Sequence, residues 1–176
     1  MMTGARRFCL VALSAVTLWG QTPIRDVNGW GKIIWGMTLA DAGRAYVINR
    51  HDDNETWSQL LAEPVEVGDI TLRVAIGARH GSEQVSRVRL WTNIGAGDAA
   101  QSAGARDFDT LKIQLIQKYG PPVDGETNTE GTEHTRMFLW TFPSTSITLT
   151  FTQTQKGGGR IELDYLATDS RALDAL

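Results

Sequence analysis

At 176 residues, with 41% hydrophobic and 21% charged content, the chain has enough apolar material for one packed core and too much to be disordered. The net charge is −3, and setting aside the two arginines among the first twenty residues lowers it by two, to −5. No cluster of Lys and Arg is dense enough to displace the counterions of DNA or RNA, which argues against nucleic acid as a partner and disfavours an anionic membrane surface.

Arg6 and Arg7 precede an apolar run from Phe8 to Trp19, the charge order and length of a signal-peptide core and too short to span a bilayer. The sequence therefore predicts a signal peptide over 1–20, with cleavage near Gln21, and a single domain over 21–176 exported to a bacterial periplasm or the medium. No stable membrane insertion is expected after cleavage. Cys9 is the only cysteine and sits at the start of the apolar run, so the mature chain has no disulfide, thiolate metal site or cysteine nucleophile.

Thr38 and Asp41 form a Thr-x-x-Asp capping pattern ahead of a short helix whose apolar face is Leu39, Ala42 and Tyr46. Trp57 to Val67 reads either as a helix capped by Asp52 and Glu55 or as an edge strand, with Pro64 favouring an edge or a break. Ile70, Leu72, Val74 and Ile76 alternate with Thr71, Arg73 and Ala75 as in a half-buried strand. A turn at His80, Gly81 and Ser82 leads to a second strand with Val88 and Leu90 on one side and Arg87, Arg89 and Trp91 on the other.

Asn93 to Ala105 is expected to be a connection, and Asp107 to Tyr119 a helix with Phe108, Leu111, Leu115 and Tyr119 on its apolar face, closed by Gly120 and Pro121–Pro122. Three strands are predicted at about 135–142, 146–153 and 160–166, with Gly157–Gly159 at the last hairpin. Phe138, Trp140 and Phe142 alternate with Met137 and Leu139; either set completes the core or extends an outer face. The expected fold is α+β: a two-layer domain with a mainly antiparallel sheet of five to six strands and two principal helices on one face. Its element order reads as one helix-plus-meander unit used twice.

No motif specifies a reaction. His51-Asp52-Asp53-Asn54-Glu55 lacks the alternating ligands and central glycine of an EF-hand loop and reads as a solvated loop or cap. Glu133 and His134 are neighbours on a strand and point to opposite faces. Gly95-Ala96-Gly97 lacks the third glycine and the lysine of a phosphate loop, and Lys156 to Arg160 reads as a hairpin tip before it reads as an anion nest. No serine sits in a G-x-S-x-G turn. The expectation is a non-enzyme with no cofactor and no metal.

The strings WGMTLADA, LIQKYGPP, LWTF and IELDYL, from Trp35, Leu115, Leu139 and Ile161 onward, resemble small exported bacterial proteins. More loosely, the layout resembles the helix-pair-on-sheet unit of the β-lactamase inhibitor protein and the small lipoprotein of the outer-membrane barrel assembly machine. That resemblance implies binding of another protein. The chain departs from both in lacking a lipobox cysteine and the paired cysteines of the inhibitor family, and no residue role carries over.

Alternation places Arg73, Arg87, Arg89 and Trp91 opposite the apolar side of adjacent strands, and Arg and Trp are enriched in interface hot spots. These four residues are the predicted binding site for a protein partner in the bacterial envelope. The alternative is a carrier of a small apolar ligand in a pocket lined by Trp35, Tyr46 and Trp57; an undetected hydrolase ranks third.

Overall fold

The computed structural model describes residues 26–154 and 158–168. The segment read as a signal peptide lies outside these residues, as do Lys156 and Gly157 of the glycine-rich tip.

After Asp26 the chain makes a small hairpin, β1 (Gly29–Trp30) and β2 (Ile33–Ile34), that sends Ile33 into the core. Thr38 then caps α1 (Leu39–Ala45), accepting from the Asp41 amide at 3.1 Å while its hydroxyl donates to the Asp41 carboxylate at 2.8 Å. The next four strands form a meander: β3 (Ile48–Asp53), β4 (Trp57–Val67), β5 (Ile70–Arg79) and β6 (Val85–Ile94). A long helix, α2 (Asp98–Tyr119), ends at Gly120 with φ 85°, a conformation that costs glycine little. A second meander follows: β7 (Asp124–Glu130), β8 (Glu133–Thr141), β9 (Thr145–Thr154) and β10 (Gly159–Ala167).

The two meanders join at their last strands, β6 against β10, giving one antiparallel sheet of order β3-β4-β5-β6-β10-β9-β8-β7. Strands take 56% and helices 21% of the described residues, so the protein is mostly β. The expected α+β fold with a sheet of five to six strands is thereby corrected: the sheet has eight strands, and a separate two-stranded hairpin accompanies it.

Three local expectations are revised. Trp57 to Val67 is neither helix nor edge: β4 pairs with β3 on one side and β5 on the other, and Pro64 falls where the β4–β5 register shifts, a bulge that tolerates its missing N–H. The connection after β6 is short because α2 starts at Asp98 and takes in the Ala- and Gly-containing stretch. Within it, Gly104 permits close approach to β6, since a Cβ there would lie 2.3 Å from Ile94 Cδ1. Finally, β3 and β7 escaped the sequence reading altogether.

One face of the sheet carries the core. Ala62, Val74, Leu90, Leu163, Leu149 and Phe138 form a row of paired residues across six strands, and Leu60, Ile76, Val88, Tyr165, Ile147 and Trp140 form the next. Phe108 of α2 lies against Phe138 and Phe151 with ring centroids 6.0 and 5.4 Å apart, and Ala42 of α1 is fully buried in the same core. Phe138 and Trp140 thus belong to the core, where Trp140 Nε1 donates to the Gly120 carbonyl at 2.8 Å and helps fix the end of α2. Phe142, just past β8, packs on Tyr119. Met137 and Leu139 take the opposite face.

Candidate functional site

Both helices pack on the apolar face, and among the described residues no helix covers the other. Pairing of β5, β6 and β10 fixes what that open face presents. Trp91 stands between Arg73 and Glu162 in one cross-strand row, Arg89 between Ala75 and Asp164 in the next, and Arg87 between Gly77 and Leu166 in the third. The four predicted site residues therefore share one face, as period-two alternation requires once the register is set.

Their environments differ. Arg87 is held as a bidentate fork, Nε donating to Asp164 Oδ1 at 2.8 Å and Nη2 to Oδ2, and its guanidinium lies 5.1 Å from the Trp57 ring centroid. Its side chain is 17% exposed, so Arg87 is a structural part of the face. Arg89 lies diagonally over Glu162, Nε to Oε1 at 3.3 Å, without hydrogen-bond geometry. Burial pulls the Arg89 guanidinium below its ordinary value; Glu162 opposes this and neighbouring Arg87 adds to it. The group stays charged at neutral pH, because a guanidinium titrates far above it. Arg73 is exposed and has no carboxylate partner among the described residues.

Sequence reasoning missed the residues that complete the cluster. Arg160 bonds Glu162 at 2.8 Å and stacks on Trp91, its guanidinium 5.3 Å from the ring centroid. Glu162 thereby serves three guanidiniums, those of Arg87, Arg89 and Arg160. One carboxylate offers about four lone-pair sites against five N–H donors per arginine, so the cluster is donor-rich. The buried Nε atoms of Arg89 and Arg160 find no acceptor. Glu162 and Asp164 were legible as the polar set alternating with Ile161, Leu163 and Tyr165; the missing information was that β10 pairs with β6.

Beside the cluster, toward the β3 edge, the open face is hollowed into a groove of about 610 Å³. Arg50, Arg73, Arg89, Arg160, Asp52 and Trp91 provide its charged and aromatic lining. Four guanidiniums line it with the carboxylate of Asp52, and two of them, Arg89 and Arg160, are also paired with Glu162. Across the rest of the face run Ser146, Thr148, Thr150 and Thr152 of β9, then Met137 and Leu139 of β8, then Asp124 and Glu126 of β7.

Comparison with protein-family models, with curated proteins and with solved structures gave no significant match. Geometry alone therefore carries the functional reading.

Other candidate chemistry is dispersed. Asn54, in the polar cluster at the end of β3, accepts from the amides of Thr56 and Trp57 at 2.9 and 2.8 Å, a turn-forming role. Among the described residues no group of three His, Cys, Asp or Glu is placed to hold a metal ion. His134 pairs with Thr129 at 2.9 Å on the exposed β7–β8 ribbon. Gly97 serves as the N-cap of α2. The three aromatics of the carrier reading are apart: Trp35 donates to Thr145 at 2.6 Å, Tyr46 stacks on Trp30, and Trp57 lies under Arg87 on the opposite face. No helix among the described residues is long and apolar enough to cross a membrane.

Proposed function

We propose that this chain is a non-catalytic, exported binding domain of the bacterial envelope that engages another protein through the open face of its sheet. The observation that carries this reading is the groove beside Trp91, where four arginines outnumber the carboxylates of Asp52 and Glu162 on a face that no helix among the described residues covers. Two features suit it to docking. Arg73, Arg89 and Arg160 are pre-positioned by the β5, β6 and β10 backbones, and Arg160 is stacked on the Trp91 indole, which reduces the entropy lost on binding. The face also pairs a large aromatic with guanidiniums, the combination that dominates interface energetics. Export is supported by the charge order and apolar length of residues 6–19.

The test is site-specific photo-crosslinking in the bacterial envelope. A crosslinker at position 73 or 91 should give discrete adducts, whereas one at Ile113, exposed on α2, should not. Arg89→Ala with Trp91→Ala should abolish the adducts from position 73 while moving the thermal midpoint by less than about 5 °C. Adducts from the helix side alone, or a collapse of folding in the double variant, would overturn the assignment.

A further inference from the structure

Resting on that reading, the geometry points to the occupant: we infer that the groove takes an extended acidic peptide segment, with carboxylates on Arg73 and on the Arg160–Trp91 stack. Three observations converge. The groove spans β3 to β10, four strand spacings or about 19 Å, the length of about six extended residues. Its charge is opposite to that of the chain as a whole: four arginines line it against Asp52 and against Glu162, which pairs with Arg89 and Arg160, within a protein of net charge −3. Asp52 is itself engaged by Arg50 at 3.4 Å, which leaves the donors of Arg73 and the outer edges of Arg89 and Arg160 facing the groove.

The remainder of the face selects among anions. Asp124 and Glu126 of β7 share it, three strand spacings or about 14 Å beyond β10. That separation exceeds the Debye length of about 8 Å at physiological ionic strength, so the two ends act independently on a small ligand. A flat anionic bilayer or a long polyanion would meet both ends and be repelled at one. A short segment confined to the groove meets only the basic end. Guanidiniums pair bidentately with carboxylates as with phosphates, and Asp and Glu side chains are the carboxylates that a short peptide segment brings to them.

Acetylated hexaglutamate is the probe, titrated calorimetrically into the protein at low salt. Binding should weaken at least ten-fold in Arg73→Ala with Arg160→Ala and at least five-fold between 50 and 300 mM salt. In NMR spectra the Trp91 indole signal should move and the Trp140 signal should not. Arg73→Lys should retain more affinity than Arg73→Ala. The inference falls if hexaglutamate does not bind, if the double variant binds it equally, if inorganic phosphate at equal concentration binds as tightly, or if phosphatidylglycerol vesicles bind and the peptide does not. It falls also if the protein self-associates through this groove, with β7 of one copy as the acidic segment. Crosslinks from position 91 with any of these failures would leave the docking face standing and remove only its acidic occupant.

Discussion

The two faces of this sheet are built from the same strands and do opposite work. On the helix side, Leu90, Leu163 and Leu149 meet shoulder to shoulder and are almost fully buried, so every contact there is replaceable only by another apolar group of like volume. On the open side, the residues one position along, Arg89, Asp164 and Thr148, are half-buried by one another and keep access to solvent. A strand with period two can thus hold a core with one set of side chains and a charged lattice with the other, and mutations on the two sides should have different readouts.

The strongest way to break the comparison is to delete an aromatic from each face. Trp140→Ala removes a fully buried indole and its hydrogen bond to the end of α2, and should cost about 3–5 kcal/mol in denaturant unfolding. Trp91→Ala, on the open face, should cost less than about 1 kcal/mol. Equal losses would mean that the open face is a second core.

Alkali probes the dry side without truncation. Tyr165 is buried, its hydroxyl 3.5 Å from that of Tyr119, and burial pushes its ionisation far up, with Tyr119 reinforcing the effect. In the unfolded chain a tyrosine ionises near pH 10, so above that pH the unfolded state binds fewer protons than the native state and stability declines. The slope should be about 1.4 kcal/mol per pH unit, and Tyr165→Phe should flatten it. Below pH 10 the contribution is fully present.

The charged lattice is tested by removing its hub. Glu162→Gln leaves Arg89 and Arg160 without their carboxylate and should destabilise by about 1–2 kcal/mol, discounted from the cost of a fully buried pair because the side chain is 26% exposed. Adding Arg89→Ala should recover part of the loss, a coupling that a double-mutant cycle measures. Full additivity would show that Arg89 does not draw on Glu162.

What the sequence disclosed follows the same division. Strands with a dry side, such as β5, β6, β9 and β10, announce themselves by alternation, and Arg73, Arg87, Arg89 and Trp91 could be assigned to a common side from that pattern alone. The two strands that went unread, Ile48–Asp53 and Asp124–Glu130, are the two edges of the sheet, where INRHDD and DGETNTE are almost wholly exposed and nothing forces apolar residues to every second position. Missing both edges led to a sheet of five to six strands. Arg160, Glu162 and Asp164 were hidden for another reason: their meeting with β6 is a pairing between residues some 70 positions apart, and no local pattern encodes which strand ends beside which.

The smallest effect is expected where the first described residues meet the sheet. Asp26 accepts from the Ser144 hydroxyl at 2.5 Å and the Ser144 amide at 2.9 Å, tying the segment ahead of β1 to the turn before β9. The Ser144 hydroxyl and then its amide hold the Asp26 carboxyl below its ordinary value. A depressed carboxyl stabilises the native state above its unfolded pKa of about 3.9, and that stabilisation is lost as pH falls through the lower native value. Because the carboxylate is exposed, the readout is local: the protection of the Ser144 amide against exchange should fall as pH drops through the lowered native value, and in Asp26→Asn it should lose this acid dependence. If that protection were indifferent to pH and to the substitution, the tether would contribute nothing, and the attachment of this segment would rest on the Thr145 hydroxyl donating to the Val27 carbonyl, on Ile33 in the core and on Trp35 at Thr145.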